Sequence, residues 1–253
     1  MARKGLITCN HMVAQGSPLS DVTIEPVTDW LYRLATPAVN VYAIRQSSDF
    51  ILIDAGVAGH EHDYLRALDT IGGTKRGEAR LGEIFLTHGH DDHTGSAAAL
   101  VQLTAASVRG PAADADVIEG RAPRADPKLL DWEIPLFERY GRVAPAPPVA
   151  LDAVVADKAW LDWERAAQVI AAPGHTAGSV AVYFPGDRVL IAGDAILSRE
   201  GEPELGAFNA DPDRARSSVR RLARLDAELL CVGHGPVITR DAGSRLARLV
   251  ETL

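Results

Sequence analysis

Residues 85–95 read FLTHGHDDHTG. Positions 88–93 hold three of the chain's eight histidines and two aspartates, directly after a strand-like run. His88 and His90 are two apart, so on extended backbone both side chains point the same way. Asp92 and His93 follow as the chain turns towards a helix. Imidazole and carboxylate together are ligands for zinc, iron or manganese. The bland alternative, a polar loop with chance histidines, fits poorly with so dense a cluster.

More candidate ligands stand far along the chain. His175 lies in AAPGHTAGS, Asp194 in VLIAGDA and His234 in LLCVGHGP. Each closes a strand-like run and has a glycine beside it. Glycine lets the backbone turn sharply there, and a side chain at a strand end is held by a rigid sheet yet reaches its open edge. Any one of these alone reads as structural. Together, His88, His90, Asp92, His93, His175, Asp194 and His234 supply ligands for two cations, with Asp194 as the natural bridging carboxylate. Two metals roughly 3.5–4 Å apart share a water and lower its pKa towards neutrality.

The surrounding pattern predicts the architecture. DVTIEPVTD, WLYRLA, NVYAIRQ and FILIDAG read as adjacent antiparallel strands. HEHDYLRALDTIGG carries Leu65, Leu68 and Ile71 at helical spacing, with glycines as a stop. The strand LGEIFLT leads into the histidine cluster, and a helix runs through GSAAALVQLTAA. Strands resume at AAQVIAA, GSVAVYFPG and DRVLIAGD. A helix through DPDRARSSVRRLARLD has Asp211 as cap and Pro212 at its first turn. Its arginines fall opposite Val219, Leu222 and Leu225, as a solvated face does. AELLCVGHG is a further strand, and DAGSRLARLVETL a last helix. Strands then helices, twice over, suit two sheets packed face to face with helices outside.

Residues 121–150 differ, with six prolines and the large apolar side chains Trp132, Ile134, Leu136, Phe137 and Tyr140. They predict a helical piece with a proline-rich exit. The segment is either a lid and pocket wall, or an insert packed on the sandwich or against a second copy.

The 253 residues suffice for a sizeable core, and the reading is one domain, 1–253, with that insert. A net charge of −8 argues against general nucleic-acid binding, which needs clustered Lys and Arg. Two cysteines, Cys9 and Cys231, make no disulfide framework and fit a reducing compartment. Cys231 reads as a small core residue. The basic N-terminus is followed by no apolar run of signal length, and no stretch suits a membrane span. The expectation is a soluble cytoplasmic protein acting on a small molecule, with no membrane or nucleic-acid partner.

The motif H-x-H-x-D-H, followed by His, Asp and His in this order, resembles that of the metallo-β-lactamase-fold hydrolases. The resemblance covers nearly the whole chain, from the strands before LIDAG to GHGP. It implies an α/β (α+β) four-layer αββα sandwich with the site along one sheet edge. Carried over, one metal takes His88, His90 and His175, the other Asp92, His93 and His234, and Asp194 bridges. Asp54 of ILIDAG matches the family's first motif and would steady the ligand loop by hydrogen bonds; by sequence alone it also reads as a turn aspartate. His11, His60 and His62 match no motif, and His60 and His62 are expected to be exposed at a helix start. The cofactors implied are two divalent ions, zinc first, then iron or manganese. The mechanism implied is hydrolysis by a metal-bridging hydroxide, with Asp92 orienting it.

Departures from the family's branches narrow the substrate. Glyoxalase II is similar in its metal motifs but adds a C-terminal glutathione-gripping domain, whereas 19 residues follow His234 here. Acyl-homoserine lactonases carry a tyrosine where this chain has Leu197. True β-lactamases lack the bridging aspartate. Persulfide dioxygenases use a single iron and a different run where this chain has SREGEPELGAF. The expectation is therefore a hydrolase of a small ester, thioester or lactone, with a mononuclear-iron, persulfide dioxygenase-like oxidoreductase as the alternative.

Overall fold

Along residues 40–53 successive side chains enter two different cores. Val41, Ala43 and Leu52 pack on one side, and Tyr42, Ile44, Ile51 and Ile53 on the other. A strand buried on both faces must be apolar at nearly every position, which is why these runs read as continuous rather than alternating.

The computed structural model describes residues 22–75, 77–141 and 143–253. Cys9, His11 and the basic N-terminal stretch lie outside the described residues. Within them the chain forms β1 (Thr23–Pro26), β2 (Leu31–Ala35), β3 (Asn40–Arg45), β4 (Phe50–Ile53), α1 (Glu61–Gly72), β5 (Leu81–Phe85), α2 (Asp91–Thr94) and α3 (Ala97–Thr104). Next come β6 (Ser107–Pro111), α4 (Ala115–Ile118), α5 (Ile134–Tyr140), β7 (Ala153–Val155), β8 (Trp160–Leu161), β9 (Ala167–Ala171) and β10 (Val180–Phe184). The remainder is β11 (Val189–Ile191), β12 (Ile196–Arg199), β13 (Glu202–Leu205), α6 (Pro212–Leu222), β14 (Leu229–Cys231) and α7 (Ala242–Val250).

One sheet runs β1 to β7 in chain order. Its first four strands are antiparallel, and β4, β5, β6 and β7 are parallel. The second sheet has the order β14-β11-β10-β9-β8, and β12 and β13 form a separate hairpin. Three cores separate four layers. The first joins Tyr64 and Leu68 of α1 and Leu100 of α3 to the outer face of the β1–β7 sheet. The second lies between the sheets, where Trp30, Tyr42 and Phe85 meet Val182 and Phe184. The third joins Ala181, Tyr183 and Leu190 to Val219 and Leu222 of α6 and Leu246 of α7. This is the expected αββα sandwich.

The first four strands, α1, α3, α6, α7 and the core placement of Cys231 agree with the sequence reading, apart from a few residues at their ends. β14 is shorter than the expected strand, closing at Cys231 so that residues 232–235 form a loop. Several elements carried no readable signal. β6, SVRGP, holds a glycine and a proline that disfavour strands. The β12–β13 hairpin turns on Glu200 and Gly201, both at positive φ, where the commoner hairpin pair is Asn-Gly. No helix of the described residues is long and apolar enough to cross a membrane.

Helix α6 begins as its sequence demands. Pro212 occupies its first turn, and the Asp211 side chain accepts the Arg214 N–H at 3.2 Å. Asp211→Ala is expected to destabilise the fold by about 1 kcal/mol, read as a lowered denaturation midpoint at unchanged slope.

Candidate metal centre

The sheet topology brings the distant motifs to one edge. β4 and β5 are parallel, so Asp54 and the residues after Phe85 emerge side by side. β11 and β14 are parallel as well, which places Asp194 beside the loop of His234. The turn joining β9 and β10 brings His175 to the same edge. All seven candidate ligands meet there. Their donor atoms form three groups, each within 4.8 Å: His88, His90 and His175; His88, His93 and Asp194; and Asp92, His93 and His234.

The hydrogen bonds behind the imidazoles determine which nitrogen faces the centre. His93 Nδ1 donates to Asp54 Oδ2 at 2.8 Å. His175 Nδ1 donates to the Ala207 carbonyl at 3.0 Å, and His234 Nδ1 to the Ala38 carbonyl at 2.8 Å. The Thr87 hydroxyl gives its one proton to Asp54 Oδ2 at 2.9 Å, so His88 Nδ1, 3.0 Å from Thr87 Oγ1, must donate to that hydroxyl oxygen. Each of these rings, when neutral, therefore turns a bare Nε2 inward. Such an oriented ring is how proteins prepare a histidine for a cation. His90 instead presents Nδ1, 2.8 Å from His175 Nε2.

Several of these atoms are buried without partners. His88 Nε2, His93 Nε2 and Asp194 Oδ1 make no hydrogen bond. Buried polar atoms are ordinarily paired, and lone pairs converging this closely repel unless a cation lies among them. Asp194 touches ligands of both trios, with Oδ1 at 3.2 Å from His93 Nε2 and Oδ2 at 3.4 Å from His175 Nε2 and 3.1 Å from His234 Nε2. The residues fit cations of the kind that take nitrogen and oxygen ligands.

The electrostatics divide the cluster. Burial lowers the pKa of His88, His90 and His175, which favours the neutral form that ligates. Burial is also the largest influence on His93 and His234, but carboxylates outweigh it, Asp194 foremost. The pKa of His93 is raised, and that of His234 rises to about 10. Asp92 and Asp194 are held below the usual carboxylate range: burial opposes this, and His93 and His234 overcome it.

Asp54 lies behind the ligands, as its motif implies. It takes φ +64°, a left-handed conformation that aspartate tolerates better than most residues. Its carboxylate accepts the Thr87 N–H at 2.7 Å as well as the Thr87 hydroxyl and His93 Nδ1–H. The sequence reading missed Thr87, although it precedes His88. It also missed Asn40 and Tyr42, which clamp the loop before His234. Asn40 Nδ2 donates to the Val232 and Gly235 carbonyls, both at 2.8 Å, and the Tyr42 hydroxyl accepts the Val232 N–H at 3.0 Å. These residues look like ordinary strand positions in the sequence.

One expectation fails. His60 is 8% exposed, not solvated. Its ring packs beside Asp63, with Nδ1 3.2 Å from Oδ2, and near Tyr64, while its backbone N–H donates to Ser96 Oγ at 3.2 Å. It stands apart from the seven ligands.

The insert is tied to two loops of this edge, through Asp91 and through Phe208. Asp91, next to Asp92, accepts from Arg124 Nη1 at 2.8 Å and from the Ala146 N–H at 2.9 Å. The Glu133 carboxylate, 2% exposed, accepts the Leu130 and Phe208 N–H groups at 2.8 and 2.9 Å. Phe137 meets Phe208 edge to face, 5.2 Å between ring centres. Phe208 follows Ala207, whose carbonyl orients His175, and has φ +59°, a strained conformation for an aromatic residue. Trp132, Ile134 and Tyr140 of the same segment are exposed.

Residues 35–234 match the family model of the metallo-beta-lactamase superfamily. The chain is 29% identical over 252 residues to the probable metallo-hydrolase YflN of Bacillus subtilis (strain 168), covering 88% of this chain and 90% of that protein. It is 33% identical over 173 residues to a hydroxyacylglutathione hydrolase of Fuscovulum blasticum, covering 68% of this chain and 54% of that enzyme. The chain thus spans about half the length of that relative. Among solved structures, TTHA1623 in a di-iron-bound form superposes with a TM-score of 0.63 at 27% identity, covering 87% of this chain and 98% of that one.

Replacing Asp54 by Asn keeps its shape but removes its charge and one acceptor. Asp54→Asn is expected to weaken zinc binding about 10–100-fold, the usual effect of losing a carboxylate behind a ligating histidine. Competition with a chromophoric chelator measures this.

Proposed function

Because the chain belongs to the metallo-beta-lactamase superfamily of metal-dependent hydrolases, we propose that it holds two divalent cations, zinc foremost, and hydrolyses a small-molecule ester, thioester or lactone. The observation that carries this reading is the position of Asp194, whose two oxygens touch ligands of both trios. In the proposed site His88, His90 and His175 would hold one ion and Asp92, His93 and His234 the other, with Asp194 shared between them. Bound there, the ions would supply a hydroxide at neutral pH and a Lewis acid for the scissile oxygen.

The chain's own residues do the rest. Nδ1–H donation by His88, His93, His175 and His234 keeps each ring facing inward through the cycle. Asp54 keeps His93 in place without entering the centre. Asp92, with Oδ2 3.4 Å from His234 Nε2, is more exposed than the bridging Asp194. In this reading Asp92 would orient the nucleophile and carry its proton to the leaving group.

Phe137 and Phe208 form one apolar wall of the substrate cleft, which suits an acyl or aromatic group. The match to a hydroxyacylglutathione hydrolase puts thioesters first, and the reading takes from that enzyme the reaction class, not glutathione. Single-domain organisation with the insert as a pocket wall is part of this proposal.

Elemental analysis of protein purified without added metal is expected to show about two zinc, manganese or iron ions per chain. One iron per chain, with oxygen uptake on adding a thiol persulfide, would replace hydrolysis by the dioxygenase reading. Asp194→Ala is expected to lose metal and activity together while the far-ultraviolet circular dichroism is kept. Phe137→Ala is expected to raise KM about tenfold at little changed kcat, since apolar wall contacts are made equally in ground and transition states.

A further inference from the structure

Asp114 is a buried carboxylate, 3% exposed, outside every motif recognised in the sequence. It stands at the N-terminus of α4, where an aspartate ordinarily accepts a helix N–H. It makes no such cap. Oδ1 accepts the Gly178 N–H at 2.7 Å instead, and Oδ2 accepts the Gly89 N–H at 3.0 Å and the Thr176 hydroxyl at 2.6 Å. Gly89 lies between His88 and His90, and Thr176 follows His175. One carboxylate thus joins the two loops that carry a whole trio of ligands.

Local packing is built around this clasp. A Cβ on Gly178 would come 2.5 Å from Asp114 Oδ1, and one on Gly89 would meet the Val117 side chain at 3.2 Å. Both loops approach the 112–118 turn as closely as backbone allows. Thr176 is held in turn by Ser179, whose hydroxyl accepts the Thr176 N–H at 3.0 Å and lies 2.7 Å from Thr176 Oγ1. The partners of Asp114 are two backbone N–H groups and one hydroxyl, each on a ligand-bearing loop.

We propose that Asp114 is a positioning residue that clasps the His88–His90 loop to the His175 loop and so sets the affinity of the three-histidine ion site. The inference rests on the two-ion reading only for which site it serves. The clasp itself is a property of the loops. Two measurements separate the two claims.

The first is a stepwise zinc titration against a chromophoric chelator, on wild type, Asp114→Asn and Thr176→Val. In Asp114→Asn one of the two binding constants is expected to fall about 10–100-fold while the other changes less than about twofold. Thr176→Val, which leaves both backbone donors in place, is expected to shift the same constant by a smaller factor. It also carries the test if Asp114→Asn does not fold. Equal loss at both sites, tracking a lowered melting temperature, would reduce Asp114 to a structural residue, and two unchanged constants would overturn the proposal. The second measurement is amide hydrogen exchange. Gly89 and Gly178 N–H are expected to be protected in wild type. The expectation is that Gly178 becomes exposed in Asp114→Asn and Gly89 less protected in Thr176→Val. A wild type that binds fewer than two zinc ions counts against the two-ion reading, and exchange then decides the clasp. Unprotected Gly89 and Gly178 in wild type would refute it.

Discussion

The Asp54 carboxylate sits where the parallel strands β4 and β5 leave the sheet beside the candidate centre. Its strand ends in a left-handed turn that swings the side chain sideways onto the neighbouring strand's exit. There it takes the Thr87 N–H, the Thr87 hydroxyl and the His93 ring N–H. Hydrogen bonds to a charged group contribute about 1.5–3 kcal/mol each, and removing such a buried acceptor strands the donors it served. The consequence reaches beyond stability. Because Thr87 spends its proton on Asp54, His88 has to donate to Thr87. Two ligand rings are thereby oriented by one buried oxygen pair.

The same logic runs around the centre with different acceptors. The Ala207 carbonyl fixes His175 and the Ala38 carbonyl fixes His234, so four of the five rings have their tautomer set from behind, His90 being the exception. Fixing the rings this way leaves buried nitrogens and a carboxylate oxygen with nothing to bond. A protein that assembles unpaired polar atoms at the rigid ends of strands bears a desolvation cost that a bound cation offsets. Metal uptake and stability are linked for that reason.

How much of this was legible depended on the length scale of each feature. The ligands were legible because metal chemistry restricts residue types and because each sits at a strand end beside glycine. The αββα layering followed from the order of strands then helices, twice over, and from the resemblance carried by the histidine motif. His60 defied the reading because its burial comes from Ser96 and Asp63 packing over a helix start, a tertiary event that local pattern does not encode. Asn40, Tyr42, Thr87 and Asp114 were invisible for a related reason. Each acts through a hydrogen bond to a segment brought near only by the fold; Asn40 reaches Val232 across 192 positions of sequence. β6 and the β12–β13 hairpin escaped because pairing with neighbours overrode weak or contrary local propensity.

The division of labour between sheet ends and insert follows from what each can hold steady. Most of these strand ends are fixed by ladders on both sides, and the edge strand β14 by β11 together with Asn40 and Tyr42, so they carry the groups whose positions must be set within a fraction of an ångström. The insert is fixed at a few points, among them Arg124 and Ala146 on Asp91 and the buried Glu133 on Phe208. Both anchors are themselves neighbours of ligand loops: Asp91 precedes Asp92, and Phe208 follows the carbonyl that orients His175. A change in the insert's seating therefore propagates to the geometry of the candidate ligands through two short paths. The strained backbone of Phe208 belongs in that setting, since relaxing it would move the carbonyl on which His175 depends. In this arrangement the seating of the insert and the orientation of the centre are linked by the same few hydrogen bonds.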